Sequence, residues 1–295
     1  MTKATNRLWP RLALVLASLI WGIAFVVMKS ALDTMPPLLL LALRFTIAAL
    51  VLGLCLLKRL KRGLNPRLLR RGLGCGLILG AAYIIQALGL QETTAGKNAF
   101  LTAVYCVLVP FVAWVWMKRR PGVNSFIAAL LCLLGIGLIS LSEADGRAAI
   151  TQGDALSLLC GVIFAVQVTS LSRYGREEDP LLMTLLQFVS AAALCWTGAL
   201  IRRESLPALT WPMAWELGYL SILSTCLALL LQNIGQAGTP PAPAGILLSL
   251  ESVFAVISAV LFMGEKVTPR LAVGFAVVFV AVGVSSWAGG REGKG

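Results

Sequence analysis

Polar residues divide the chain into ten long, almost uncharged stretches, at 12–28, 37–57, 72–90, 98–117, 126–142, 155–172, 180–200, 213–231, 241–263 and 271–288. Each approaches the length at which an α-helix crosses a hydrocarbon core about 30 Å thick. In lipid only helices and closed barrels satisfy every backbone group, and the apolar runs lack the period-two alternation of a barrel strand. The pattern predicts an all-α integral membrane protein with ten transmembrane helices.

The pattern also repeats. Pro37-Leu38-Leu39 with Leu43-Arg44-Phe45 and Ala48-Ala49 returns 143 residues later as Pro180-Leu181-Leu182 with Leu186-Gln187-Phe188 and Ala191-Ala192. Gln86, Gly89, Thr93 and Leu101 return 146 residues later as Gln232, Gly235, Thr239 and Leu247. Five spans fall in each half, an odd number, so the second half must enter the membrane upside down relative to the first. Inverted repeats of this kind mark secondary transporters, whose substrate site lies where the repeats meet. The expected organisation is an N-terminal segment over 1–11, a first repeat over 12–142, an inter-repeat loop over 143–154, a second repeat over 155–288 and a C-terminal segment over 289–295.

Composition fits this reading: 58% of the residues are hydrophobic and 13% charged. A net charge of +12 in a soluble chain would suggest nucleic acid, but its placement excludes that. Lys3, Arg7 and Arg11, the seven basic residues of a 58–71 loop, and Lys118-Arg119-Arg120 all fall on one membrane side if the spans are right. The intervening loops carry only Lys29, Lys97 and Arg147. By the positive-inside rule both termini are expected in the cytoplasm, with basic loops facing lipid headgroups. The first apolar run has no A-x-A-like cleavage site before Met28 and is expected to be a retained helix rather than a signal peptide. The seven cysteines lie at scattered spacing within apolar spans and there is no histidine, so neither a disulfide framework nor a metal site is expected.

Few residues can carry chemistry. Glu251 is the eleventh residue of its 23-residue span, near the bilayer midplane, where an acid defaults to a functional hypothesis. Arg44, seven residues after Pro37, is its candidate partner; helix carbonyls, water, the nearer surface or a substrate anion could serve the arginine instead. The corresponding slot in the second repeat holds neutral Gln187. Polar residues collect at helical spacing on several spans: Ser221, Thr225 and Gln232 on the eighth, Tyr83 and Gln86 on the third, and Asn98, Thr102 and Tyr105 on the fourth. Gln86 is the repeat mate of Gln232, and Tyr105 of Glu251. Trp21 shares a face with Phe25, and Phe164 with Gln167. Singly these residues can be interhelical hydrogen bonds or packing. Together, at mid-membrane levels of repeat-related spans, they suggest a central cavity. Pro110 inside the fourth span is expected to free a carbonyl and bend that helix.

Several of these residues form recognisable strings. Trp21-Gly22, the Pro37 to Arg44-Phe45 spacing, and Gln86-x-x-Gly89-Leu90-Gln91-x-Thr93 running into Ala99-Phe100-Leu101-Thr102 resemble the first EamA repeat of the drug/metabolite transporter superfamily. Leu250-Glu251-Ser252-Val253-Phe254-Ala255, running to Gly264-Glu265, resembles the end of the second. The chain departs from the pattern at Ser252, where many members have proline, and at Lys118-Arg119-Arg120, where members often close the fourth span with Gly-Glu.

The resemblance covers essentially the whole chain. It implies two inverted five-helix repeats, cytoplasmic termini, a central cavity, alternating access and a bacterial inner-membrane location, with small metabolites, amino acids or toxic compounds as exported cargo. The expected function is therefore secondary transport of a small polar or amphipathic solute, with protons as a candidate coupling ion. Glu251 would couple, Arg44 would bind an anion or gate, Gln86 and Gln232 would hydrogen-bond, and Trp21, Tyr83 and Tyr105 would form walls. No enzymatic activity, cofactor or nucleic-acid partner is expected, and the assembly is expected to be a monomer or weak homodimer. A facilitative uniporter, a channel, and a receptor or scaffold are the rival readings.

Overall fold

The computed structural model describes residues 2–118, 122–140, 150–175, 177–239 and 241–292. Ten long helical segments, with a short helix at Leu57–Gly63 besides, build it: α1 (Thr2–Thr34), α2 (Pro37–Cys55), α3 (Pro66–Gln91), α4 in two pieces (Ala95–Thr102 and Tyr105–Met117), α5 (Val123–Ser140), α6 (Gln152–Tyr174), α7 (Pro180–Ile201), α8 (Trp211–Gly218 and Ala228–Gly238, joined by a π-helical stretch at Tyr219–Leu227), α9 (Pro241–Met263) and α10 (Pro269–Glu292). Seven stretches, in α1 to α4 and α6 to α8, are long and apolar enough to cross a membrane. Shorter apolar stretches, Phe126–Gly135, Leu247–Met263 and Pro269–Val284, lie in α5, α9 and α10. The molecule is an all-α membrane protein.

Helix starts are set by local chemistry. Proline opens α2, α3 and α7, where a missing N–H removes no helical bond. Asn65 accepts from Leu68 N at 2.8 Å and Asp179 from Leu181 N at 2.9 Å. Thr151 and Asp154 form a reciprocal capping box at the start of α6.

The packing follows the repeat. α1 lies against α8 and α9, and its counterpart α6 lies against α3 and α4. Three pairs, α2 with α7, α4 with α9 and α5 with α10, join a helix to its own repeat mate. On the first of these the repeat mates Phe45 and Phe188 are both fully buried, with ring centroids 6.3 Å apart. Close approach needs glycine at particular places. A Cβ on Gly22 would stand 2.3 Å from Phe254 Cβ and 2.8 Å from its backbone carbon, so α1 and α9 meet there only because none is present.

Four expectations need correction. The 58–71 region is not a loop: a short helix spans Leu57–Gly63 and α3 begins at Pro66, placing Arg67, Arg70 and Arg71 on helix. Arg67 and Arg71 pair there with Glu177 and Glu178 before α7, and the bond and charge of Arg71 hold the Glu177 carboxyl below the usual carboxylate range. Lys97 lies on α4 and is buried, not in a loop. α4 is interrupted at Ala103–Val104, upstream of Pro110, where Gly161 of α6 sits so close that a Cβ would stand 2.9 Å from Thr102 O. Cys55 is exposed, while the other six cysteines are buried as small core groups. Arg119, Arg120 and Arg147 lie outside the described residues.

Candidate functional site

A cavity opens in the middle of the bundle, walled by α1, α2, α3, α4, α6, α8 and α9. The structure brings Trp21, Arg44, Tyr83, Gln86, Thr102, Tyr105, Gln232 and Glu251 to its lining. Two residues of the same sequence pattern lie elsewhere. Asn98 is fully buried between α4 and α6, donating from Nδ2 to Ser157 Oγ at 2.7 Å. Gln187 on α7 accepts from Gln167 Nε2 and donates to Met183 O, each at 3.3 Å.

Arg44 is 3% exposed and held on two sides. Its Nη2 donates to Ser224 Oγ at 2.9 Å, and its Nε donates to Thr225 Oγ1. The guanidinium carbon lies 4.8 Å from the centre of the Tyr83 ring. Nη1 meets the Met28 sulfur, a weak acceptor, at 3.9 Å. No carboxylate among the described residues comes within ion-pair distance of it, and Arg44 and Glu251 are not paired with each other. Arg44 is thus a buried cation held by neutral groups.

The π-helical stretch of α8 creates this cradle. Thr225 Oγ1 donates back five residues to Leu220 O at 2.8 Å, in keeping with the wider turn. In the same stretch Ser224 O accepts from Trp21 Nε1 at 2.9 Å, so one residue binds both Trp21 and Arg44. An α-helical register would line up Ser221, Thr225 and Gln232; the π turn instead puts Ser224 in the cavity and buries Ser221 away from it. No glycine or proline lies in Tyr219–Leu227 to signal the change.

Glu251 sits halfway along α9, 6% exposed, with the Tyr105 hydroxyl turned toward its carboxylate. No cation lies within ion-pair distance of it among the described residues. Aromatic rings complete the wall: Phe164 lies edge-on to Tyr83 at 5.6 Å and tilted against Tyr105 at 6.2 Å. Met28, Leu90, Val168 and Leu229, which no polar pattern in the sequence marks, add apolar surface. A second ionic feature that the sequence reading missed lies off the cavity, where Lys97 Nζ of α4 meets Asp154 of α6 at 3.0 Å, both buried.

Comparison with known proteins follows from this geometry. The sequence pattern of the EamA-like transporter family matches residues 8–141 and 151–287, nearly the whole chain. The chain belongs to the EamA-like transporter family. An uncharacterized transporter of Archaeoglobus fulgidus is 30% identical over 280 residues, covering 95% of this chain and 86% of the relative. The threonine/homoserine exporter RhtA of Escherichia coli K12 is 28% identical over 211 residues, 70% of this chain and 68% of the relative. One solved crystal structure superposes with a TM-score of 0.71 over 96% of this chain and 97% of its own, at 18% identity, a likeness of fold alone. As an EamA-like protein the chain is a multi-pass membrane transporter and not an enzyme.

Proposed function

We propose that this protein is a secondary active exporter of a small polar or amphipathic solute, working by alternating access in the bacterial inner membrane with both termini cytoplasmic. The observation that carries this reading is one buried cation, Arg44, and one buried carboxylate, Glu251, in a single aromatic cavity without an ion pair between them. Isolated charges in a membrane interior are expensive unless compensated, which makes both groups sites for an arriving partner. An anionic group of the solute is taken by Arg44, whose partners Ser224, Thr225, Met28 and Tyr83 are all neutral. Glu251 takes a solute ammonium or a proton, and exchange between the two couples export to proton entry.

An amino-acid-like zwitterion satisfies both charges at once, and a relative is named for exporting threonine and homoserine. Gln86 and Gln232, mates in the two repeats, supply hydrogen bonds, while Trp21, Tyr83 and Tyr105 shape the walls. The basic side chains of the first half support the orientation through the positive-inside rule.

The test is thermal stabilisation of purified protein by amino acids and related solutes, then flux of each hit in proteoliposomes with and without a pH gradient. Saturable counterflow driven by the gradient, with the gradient's effect lost in Glu251→Gln, is the expected result. Flux that equilibrates the solute and never concentrates it would make the protein a facilitative uniporter; no saturable flux for any stabilising solute would overturn transport of that class.

A further inference from the structure

Between the cavity and the membrane face where α4 and α6 begin, three buried oxygens have no hydrogen-bond partner: Thr102 Oγ1, Asn98 Oδ1 and Asp154 Oδ1. They do not lie at random. Thr102 lines the cavity beside Tyr105, Asn98 stands one helical turn before it, and Asp154 of α6 is tied to Lys97, the neighbour of Asn98. Asn98 Nδ2 donates to Ser157 Oγ at 2.7 Å, and Ser157 Oγ donates to Gly153 O at 2.6 Å. A polar seam therefore runs between the two helices, from Asp154 through Asn98 and Ser157 to Thr102, and ends at Tyr105 and Glu251. Asn98 to Tyr105 spans roughly 10 Å at 1.5 Å per residue.

Buried polar atoms are satisfied by protein or by ordered water, and a water needs about two to four such partners. The seam supplies them: three unused acceptors, the Ser157 hydroxyl and the carbonyls around the α4 interruption, which Gly161 lets α6 approach closely. At its outer end Gly153 lies against the backbone of exposed Glu92, so solvent is near.

We propose that a file of bound waters occupies the α4–α6 seam and carries protons between this membrane face and Glu251. Hydroxyls, amides and waters relay a proton by handing on hydrogen bonds, and Tyr105 is the last donor before the carboxylate. The seam reaches Glu251 from one side only. From the other helices Glu251 is faced by the ionisable Tyr83 of α3, Cys106 of α4 and Cys160 of α6, with Arg44 of α2 beyond Tyr83. α1 and α8 bring Trp21 and Gln232, neither of which titrates. The route rests on Glu251 as the proton-binding group of the proposed exporter.

The experiment uses heavy water as its probe and needs no solute. Protein in lipid at pH 5 is transferred to D2O, and exchange of the Glu251 carboxyl is followed by its infrared band, assigned by its loss in Glu251→Gln. Thr102→Val, which keeps the shape and removes the hydroxyl, slows the exchange at least tenfold, Ser157→Ala slows it less, and Thr102→Ser leaves it near wild type. Unchanged exchange in both Thr102→Val and Ser157→Ala overturns the route, as does equal slowing in Thr102→Val and Thr102→Ser, which would report packing instead. Absence of an exchangeable Glu251 band at pH 5 also overturns it, since a route to Glu251 requires that it take a proton. Transport that ignores pH while the exchange pattern holds would remove the coupling role and leave the hydrated seam standing.

Discussion

Tyr105 and Glu251 hold the same position in the two repeats, and they meet in the cavity, the phenol turned toward the carboxylate. The helices that carry them, α4 and α9, are related by the repeat, so the divergence of one pair of residues gives the centre its single acid. Replacing Glu251 with glutamine keeps size and hydrogen bonding but fixes the charge at zero. Gradient-driven flux is expected to fall more than tenfold and its pH dependence to flatten. Tyr105→Phe, which removes one hydrogen bond worth about 1 kcal/mol, is expected to change the rate severalfold and to keep the pH dependence. Flux by each variant in proteoliposomes at several pH values checks both; a wild-type pH profile in Glu251→Gln would remove Glu251 from the mechanism.

Arg44 and its cradle are a planar fork matched to two hydroxyls on a π turn. Lysine keeps the charge but presents a point donor that cannot serve Ser224 and Thr225 together. Arg44→Lys is expected to weaken solute binding about tenfold, and Arg44→Gln, which removes the charge, more than a hundredfold, since hydrogen bonds to charged groups contribute about 1.5–3 kcal/mol each. Titration of the stabilising solute by thermal shift measures this. Equal affinity in wild type and Arg44→Gln would mean that the guanidinium serves structure alone.

The spans were legible because continuous apolar length is a strong signal in a membrane chain, and the repeat was legible through strings such as Leu43-Arg44-Phe45 and Leu186-Gln187-Phe188. Trp21, Tyr83, Tyr105 and Glu251 could be grouped because they fall at mid-membrane levels on repeat-related helices. Other features were hidden for physical reasons. No helix breaker marks the π turn that binds Trp21 and Arg44, so α-helical counting puts Ser221 where Ser224 stands. Lys97 follows Thr93-Thr94-Ala95-Gly96, which reads as a loop; Thr94 instead caps a helix, accepting from Lys97 N at 3.3 Å. Asn98 and Gln187 obey the same spacing rules as cavity residues but spend their amides between helices, a choice that only tertiary packing makes.

Gly22 tests the close approach of α1 and α9. Alanine there would place a Cβ within 2.9 Å of Phe254 and Ala255 backbone atoms, which cannot rotate away. Gly22→Ala is expected to destabilise the protein by about 1–3 kcal/mol, the range of overpacking in a tight interface. Gly74→Ala, with nothing within 4 Å of the added carbon, is the control and should leave the melting temperature unchanged. Thermal unfolding in detergent separates the two, and equal melting temperatures would show that α1 and α9 are not held in this contact.

Lys97 and Asp154 pair at 3.0 Å with almost no solvent access, so each is the other's compensation. Removing one partner of a buried pair leaves an uncompensated charge and typically costs about 3–5 kcal/mol, whereas replacing both by apolar residues is often neutral. Lys97→Met is therefore expected to lower the melting temperature strongly. Asp154→Leu should do so as well, with an added loss because Asp154 also accepts from Thr151 N in the capping box at 3.2 Å. The double variant Lys97→Met with Asp154→Leu should recover much of the stability, short of the capping contribution of about 1 kcal/mol. A double variant whose loss equals the sum of the two single losses would mean that the charges do not interact.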